Sequence, residues 1–337
     1  MKRKTLFKLV LLYYISLYCV SCNTSNGVKV GFLFPHMLSD RYVKEKLFFT
    51  AKIKDLGGEA IITSADNNDQ TQIQQATDLI NQGVKVLVVN PLNSNTAATI
   101  VRNAHYKGVK VIAYDRLIKN CDLDYYLTFD NEKVGKLMAE YVTKIKPNGN
   151  YILLGGDKSD QNAVWVKNGQ KSALTPFLSS GSIKIVYDCY IESWSGDNAR
   201  NEMKKYIDLS NSTPDVILSA YDGMSTGVID LLMAYNLAGK VLITGQDAEL
   251  AACRNIVKGY QIMTIYKPVK QLAIKAAELS MKLAKNEKIT DAKKTIDNDQ
   301  VEVPTIFLDP IVVDKNNLKT TVIADGYMLE KDIYSNQ

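Results

Sequence analysis

Histidine and cysteine are scarce in this chain, and their spacing argues against metal and nucleophile chemistry. The 337 residues include two histidines, His36 and His105, which are too few and too far apart to predict a zinc site or a Ser-His-Asp triad. After position 22 the cysteines are Cys121, Cys189 and Cys253, an odd, scattered set without a CxxC spacing. This pattern favours buried thiols over a disulfide framework or a metal site. No acidic pair is singled out for acid–base work either, so the sequence indicates no catalytic residue.

Nucleotide-binding and DNA-binding signatures are also missing. Gly155 and Gly156 follow a predicted strand, but neither GxGxxG nor GxxxxGK[ST] accompanies them. We therefore expect these glycines to form a tight turn, and we expect no cofactor and no enzyme activity. No helix-turn-helix pattern lies ahead of residue 28, which argues against a DNA-binding repressor.

Only the N-terminal segment carries an excess of charge of one sign. The formal net charge is +5, but residues 1–21 hold four basic residues and no acid. Without that segment, 37 basic residues face 36 acidic ones. A chain this close to neutrality has no electrostatic footprint for nucleic acid, so we expect no nucleic-acid partner.

The N-terminal segment has the pattern of an export signal. A basic stretch, MKRKTLFK, precedes an apolar run over residues 9–21, which is short for a spanning helix unless it is extended back to Thr5. Ser21, Cys22 and the following NTSN stretch suit a lipoprotein site, in which the cysteine is acylated and becomes the new N-terminus. We predict a lipoprotein-type signal peptide over 1–21, lipidation at Cys22, and an exported protein tethered to the cell envelope. A plain signal peptide cut nearby and a retained helix are the alternatives.

From residue 28 the chain alternates short apolar runs with longer helical patterns. Each apolar run predicts a buried strand, and the order βαβα favours a parallel, doubly wound sheet. The strands predicted in the first half are 28–34, 59–64, 84–89 and 109–115, with helices over about 40–56 and 70–83. The pattern restarts near residue 135, with strands at 151–156, 183–189, 215–222, 240–247 and 261–267. The predicted fold is therefore α/β, with two Rossmann-like, flavodoxin-like lobes that follow one another.

Polar and aromatic side chains recur where the predicted strands end. Ligands of parallel sheets lie beyond the carboxyl ends of the strands, so these positions are candidate ligand contacts. They are Arg41, Tyr42, Asp115, Arg116, Asp160, Asn162, Trp194, Tyr221, Asp222, Gln246, Asp247 and Lys267. Carboxylates and amides accept hydrogen bonds from hydroxyls, arginine and lysine donate to them, and an aromatic ring packs on the C–H face of a pyranose. The set thus suits a small sugar.

Several of these positions lie within longer motifs that resemble one known family. The motifs include SADNNDQTQIQQ, VIAYDRLI, TFDNEKVG, GNYILLGGDKSDQNA, LAGKVLITGQDAEL and MTIYKPV. The chain, from about 28 to about 330, resembles the D-xylose-binding members of the ribose/galactose-type periplasmic sugar-binding family (type I). The resemblance implies two lobes joined by three hinge crossings. The N-terminal lobe would comprise 28–134 plus about 268–302, and the C-terminal lobe 135–267 plus about 303–337.

The resemblance also implies a ligand site and a function. Ligand contacts carry over to Arg41, Asp115, Arg116, Asp160, Asn162, Trp194, Asp247 and Lys267, with Trp194 as a stacking floor and Tyr42 as an aromatic that faces it. The expected partners are D-xylose or a similar monosaccharide and an ABC permease. A membrane histidine kinase is the alternative partner, which would make the protein a sensor.

The chain departs from the family pattern at two places. Ala220, Tyr221 and Asp222 stand where the family has a strand-end SND, so Tyr221 either fills space near the sugar or points away from it. The first strand ends in Pro35, His36 and Met37, where the family is acidic, and His36 is expected to be a loop residue.

Overall fold

The computed structural model describes residues 27–210 and 212–335. The predicted signal peptide over 1–21 and the predicted lipidation site at Cys22 lie outside these residues. Across the described ranges, no helix combines the length and the apolar character needed to cross a bilayer. Cys121 and Cys253 are buried, Cys189 is half-buried, and these three thiols are free, as expected.

A seven-stranded sheet forms the core of the first lobe. Its strands are β1 (Lys29–Phe34), β2 (Glu59–Ser64), β3 (Val86–Val89), β4 (Lys110–Tyr114), β5 (Tyr125–Phe129), β11 (Lys294–Asp297) and β12 (Glu302–Leu308). The order across the sheet is β11-β12-β5-β4-β3-β1-β2, and every pairing is parallel except that of β11 with β12. All four residues of β3 are buried because helices cover both faces of the sheet. The helices of this lobe are α1 (Asp40–Asp55), α2 (Asp69–Asn81), α3 (Ala98–Tyr106) and α9 (Val269–Ala284).

The second lobe repeats the plan on a smaller scale. Its four parallel strands are β6 (Gly149–Gly155), β7 (Ile183–Tyr190), β8 (Val216–Ser219) and β9 (Leu242–Ile243), in the order β7-β6-β8-β9. An antiparallel pair extends this lobe: β10 (Thr264–Tyr266) and β13 (Ile311–Val313). The helices are α4 (Asn131–Ile145), α5 (Gln161–Ser179), α6 (Gly196–Ser210), α7 (Asp222–Ala234), α8 (Leu250–Lys258) and α10 (Glu330–Tyr334).

Three crossings join the lobes, and two of them depart from the predicted boundaries. The first lies between β5 and α4, ahead of the predicted residue 135, because Val134 and Met138 on α4 already pack in the core of the second lobe. The second lies between β10 and α9. The third follows Leu308 rather than lying at about 303, since β12 pairs in parallel with β5. That pairing covers an edge of the first sheet that would otherwise have unpaired backbone groups.

A cleft between the lobes

A cleft of about 540 Å³ lies where the carboxyl ends of the strands of both lobes meet. Every ligand residue predicted from the sequence lines it, with the single exception of Asp222. Asp115 and Arg116 follow β4 in the first lobe, while Asp160 follows β6 and Lys267 follows β10. Strand ends that are far apart in sequence therefore contribute to one cavity, as parallel sheets require.

Arg41, on the first turn of α1, is the centre of a charge cluster in the cleft. Its Nε donates to Glu45 Oε1 at 2.8 Å, one helical turn further along. Its Nη2 lies 3.1 Å from Asp115 Oδ2, and its Nη1 lies 3.6 Å from Asp247 Oδ1. Asp247 Oδ1 is also 3.5 Å from Lys267 Nζ. Arg41 thus connects carboxylates of both lobes in a buried setting, where each charge needs a partner.

A second ion pair spans the cleft beside this cluster. Arg116 Nε of the first lobe lies 3.0 Å from Asp160 Oδ2 of the second. Asp160 is also the N-cap of α5, because its Oδ1 accepts a hydrogen bond from the backbone N–H of Asn162 at 3.0 Å. The cap fixes the carboxylate so that its other oxygen is directed at the arginine.

The buried carboxylates of the cleft have divergent pKa values. Burial alone would raise the pKa of Asp115, but Arg41, Lys267 and Arg116 together lower it below its ordinary value. For Asp160, burial raises the pKa by more than Arg116 lowers it. Glu45 is fully buried, and burial raises its pKa to about 7 although Arg41 opposes the shift. Asp115 therefore holds a fixed negative charge, whereas Glu45 titrates near neutral pH.

The backbone at Asp115 is held in a strained conformation by contacts from both lobes. Asp115 has a φ of 64°, and the N–H of Arg116 donates to the carbonyl of Tyr114 at 2.7 Å. The Asp115 carbonyl accepts hydrogen bonds from Tyr126 Oη at 2.8 Å and from Asn162 Nδ2 at 3.0 Å. Strain of this kind persists only where surrounding contacts determine it, and it is common at functional sites.

Asn162 has a structural function in addition to its place in the cleft. Besides its bond to the Asp115 carbonyl, its Oδ1 accepts from Asn131 Nδ2 at 3.0 Å. Its side chain therefore bridges the end of β4 to the start of α4 and α5 near the first crossing. The sequence predicted a ligand contact at this position, and the structure adds the bridge between the lobes.

Trp194 forms an aromatic wall of the cleft and depends on a glycine. Ser193 and Trp194 have φ values of 57° and 55°. Asp157 Oδ2 fixes this turn by accepting a hydrogen bond from the Ser193 N–H at 2.6 Å. The indole ring lies over Gly156, where an added Cβ would lie 2.1 Å from Trp194 Cζ3. The glycine predicted to form a tight turn thus provides space for the tryptophan ring.

Two further aromatic rings line the cleft. Tyr221 packs edge-on against Trp194, with ring centroids 6.1 Å apart and an interplanar angle of 88°. Of the two alternatives for Tyr221, filling space in the cleft is therefore the one observed. Tyr42 packs beside Phe34 and His36 and contributes a further apolar surface.

Several polar atoms of the cleft are buried without a hydrogen-bond partner among the described residues. They are Asp115 Oδ1, Trp194 Nε1, Gln246 Oε1 and Asp247 Oδ1. A buried polar atom without a partner costs about 1–3 kcal/mol. A ligand with several closely spaced donors and acceptors would satisfy these atoms.

Asp222 is the one predicted ligand contact that the structure places away from the cleft. Asp222 is fully buried within the second lobe and does not line the cleft. Its carboxylate accepts from Gln261 Nε2, Thr264 Oγ1 and the Glu249 N–H, each at 2.9 Å. Asp222 begins α7, and these three hydrogen bonds hold the segments around β9 and β10 together.

Other cleft residues were missed or assigned another role from sequence. His36, predicted to be a loop residue only, lines the cleft. Glu249 lies two residues after Asp247, so its closeness to a strand end was the available signal. Tyr327, which reaches the cleft from the C-terminal segment, had no such signal. Nor did Glu45, which does not line the cleft but is fully buried under Arg41 on α1.

The chain is similar to known periplasmic binding proteins over most of its length. A family profile described as "Periplasmic binding protein domain" matches residues 30–288. The chain belongs to this family. Among curated members, the D-xylose-binding periplasmic protein of Haemophilus influenzae is 41% identical over 310 residues, which cover 92% of this chain and 93% of that protein. The D-xylose-binding periplasmic protein of Escherichia coli is 40% identical over 306 residues, covering 91% and 92%.

A solved member of the family has the same fold. It is an ABC transporter solute-binding protein from Clostridium phytofermentans with bound β-D-glucose. The superposition has a TM-score of 0.82 at 29% sequence identity and covers 90% of this chain and 99% of the other. The two-lobed α/β architecture expected from sequence is thereby confirmed.

Proposed function

We propose that this protein binds one monosaccharide, D-xylose or a close relative of it, in the cleft between its lobes and delivers it to an ABC permease. Two curated relatives, 41% and 40% identical to this chain over about nine-tenths of its length, are D-xylose-binding periplasmic proteins. The observation that supports the proposal most directly is the paired charge cluster around Arg41 and Arg116, which faces an aromatic wall at Trp194.

The chemistry of the cleft suits a neutral polyol. Each sugar hydroxyl both donates and accepts, so it can donate to Asp115 or Asp247 and accept from Arg41 or Arg116. The unpartnered oxygens of both aspartates are acceptors for such hydroxyls. The mixed charges balance one another, which disfavours a strongly charged ligand. Trp194 offers its ring to the apolar face of a pyranose.

We further propose that the protein is exported and lipid-anchored and has no catalytic function. The named curated relatives are periplasmic binding proteins. Cys22 follows a small residue at the end of the apolar run, as acylation requires. Mass spectrometry of the mature N-terminus is the test: a diacylated N-terminal Cys22 supports the anchor, and an unmodified N-terminus after cleavage elsewhere contradicts it.

The transport role is favoured over a sensor subunit for a membrane histidine kinase. The solved relative from Clostridium phytofermentans is a solute-binding protein of an ABC transporter. Affinity capture from membranes with sugar-loaded protein separates the two, because the first role requires a permease and the second a kinase.

Calorimetric titration with D-xylose, ribose, arabinose, glucose and galactose tests the proposed ligand. We expect D-xylose to bind most tightly. Arg116→Ala should weaken binding by about 2–5 kcal/mol, since it leaves Asp160 buried without its partner. Arg102→Ala, an exposed arginine on α3, is the matched control and should bind as the wild type does. Failure of the wild type to bind any of these sugars would refute the proposal.

A further inference from the structure

Glu249 and Tyr221 line a corner of the cleft that is separate from the charge cluster around Arg41. Tyr221 Oη donates to Glu249 Oε1 at 2.5 Å, and both residues line the cleft. The backbone N–H of Glu249 donates to Asp222 Oδ2 at 2.9 Å, and Asp222 is itself fully buried. Both the backbone and the carboxylate of Glu249 are therefore held in place by hydrogen bonds.

The ring of Tyr221 is fixed as well. It packs edge-on against Trp194, and on its other side lies Gly223, where an added Cβ would come within 2.5 Å of Tyr221 Cε1. The sequence thus provides a glycine where the tyrosine ring requires space. Since the ring cannot move without losing these contacts, it sets the width of the cleft next to Trp194.

One acceptor of this corner remains available to a ligand. A carboxylate can accept about four hydrogen bonds. Within the described chain, the only hydrogen bond to the Glu249 carboxylate comes from Tyr221, and it reaches Oε1. The second oxygen, Oε2, therefore has accepting capacity that no described side chain uses, at the wall of a cavity proposed to hold a polyol.

We propose that Glu249 is a specificity-determining residue of the sugar site: Tyr221 holds its Oε1, and its Oε2 accepts a hydrogen bond from one hydroxyl of the bound monosaccharide. This inference rests on the proposed function. A sugar that lacks this hydroxyl leaves a fixed, half-buried carboxylate unsatisfied, and sites built to hydrogen-bond a hydroxyl reject such analogues strongly. Tyr221 excludes bulky groups from the same corner.

The test combines protein variants with monodeoxy analogues of D-xylose in calorimetric titrations. Glu249→Gln should weaken D-xylose binding by about tenfold or more, because a charged acceptor is replaced by a neutral one. One deoxy analogue should bind weakly to the wild type and lose little further affinity in Glu249→Gln, since the hydroxyl that contacts Glu249 is already missing. The other deoxy analogues should lose affinity in Glu249→Gln by the same factor as D-xylose itself.

Matched controls distinguish a direct contact from a structural effect. Glu192→Gln changes an exposed glutamate of the same lobe and should bind all the sugars as the wild type does. Tyr221→Phe removes only the hydroxyl that holds Glu249, so it should weaken binding less than Glu249→Gln. The double variant Tyr221→Phe/Glu249→Gln should then bind no more weakly than Glu249→Gln alone.

The outcomes separate this inference from the proposed function. If Glu249→Gln leaves D-xylose affinity unchanged, or weakens all the analogues by the same factor, the contact is refuted while the sugar site stands. If Glu249→Gln does not fold, Tyr221→Phe decides by the same comparison across the analogues. If the wild type binds no sugar, the proposed function fails and this inference fails with it.

Discussion

At the scale of single residues, three strand-end residues of the cleft share an unusual backbone conformation. Asp115, Trp194 and Asp247 all have positive φ values, of 64°, 55° and 91°, and all three line the cleft. Such conformations cost about 1–3 kcal/mol each in non-glycine residues. Asp222, by contrast, begins a regular helix and its side chain lies inside the lobe. Asp160 lines the cleft with a φ of −92°, so a positive φ marks some of the cleft residues but is not required of them.

Gly156→Ala should disturb the aromatic wall. The new Cβ would lie 2.1 Å from Trp194 Cζ3, so the indole has to move, at a cost of about 1–3 kcal/mol in stability and with weaker xylose binding. Thermal unfolding and calorimetric titration measure both effects. In a Trp194→Ala background the same substitution should cost little, because the clash is gone. An equal cost in both backgrounds would contradict this account.

Glu45 should make stability depend on pH between about 4.5 and 7. Its pKa is raised from an ordinary 4.5 to about 7, so the folded state binds the proton more tightly than the unfolded state. The contribution of Glu45 is therefore most favourable below pH 4.5, and it declines by about 3 kcal/mol as the pH rises to 7. The groups that act on it are Arg41 and Tyr42 on its own helix, Tyr114 on β4, Asp115 directly after β4, and Tyr327.

Glu45→Gln isolates this effect from the other carboxylates. Glutamine has no proton to lose, so the variant should gain stability relative to the wild type as the pH is raised from 5 to 8. Chemical denaturation of both proteins at each pH measures the difference. A stability difference that is constant over this range would show that Glu45 is not the titrating group.

At the scale of elements, helix α1 serves the cleft on two of its faces. Arg41 and Glu45 are one turn apart and form its buried face toward the charge cluster. Lys44 lies between them in sequence and points elsewhere: its Nζ donates to the carbonyl of Tyr327 at 2.5 Å and lies 4.0 Å from the centre of that ring. Since Tyr327 belongs to the C-terminal segment packed on the second lobe, α1 joins the two lobes at the rim of the cleft.

Lys44→Met should remove the contact of α1 with Tyr327 on the second lobe. A cation–π contact of this kind contributes about 0.5–2 kcal/mol, so we expect xylose to dissociate a few-fold to tenfold faster. Methionine keeps an unbranched chain of similar length, and Lys46→Met, an exposed lysine on the same helix, is the control. Stopped-flow fluorescence measures the rate, and equal dissociation rates in all three proteins would contradict a bridging role for Lys44.

At the scale of the whole molecule, contacts between the lobes are concentrated around the cleft and the crossings. Arg116 with Asp160, Arg41 with Asp247 and Lys44 with Tyr327 each join one lobe to the other. Two lobes on three crossings can close as rigid bodies, and a ligand that contacts both lobes favours the closed arrangement.

Xylose should therefore reduce the radius of gyration measured by small-angle X-ray scattering. The change follows from hinge closure, because a ligand bound to both Asp115 of one lobe and Asp247 of the other, which line the cleft, would hold the lobes together. Asp247→Ala loses that connection and should show no decrease at a xylose concentration that saturates the wild type. A decrease of equal size in the variant would mean that closure does not depend on this contact.

The regular elements of the first lobe could be predicted closely from the sequence. The strand predicted at 59–64 is Glu59–Ser64, and the helix predicted at 40–56 is Asp40–Asp55. Both depend on local signals, namely a run of β-branched residues and a helical spacing that ends at Gly57. The antiparallel strand β13 was missed, since its partner β10 is distant in sequence. Strand β11 was also missed, although it pairs with the next strand along the chain, β12.

The sequence by itself determined the α/β fold, the two lobes and the edge of each sheet where polar side chains collect, because hydrophobic periodicity and strand ends are local properties of the chain. Only the tertiary structure decided which side chains meet. It placed Asp222 in the interior, brought Glu249 and Tyr327 to the cleft, and put β12 in the first lobe. These outcomes depend on contacts between segments far apart in sequence, and no local pattern encodes them.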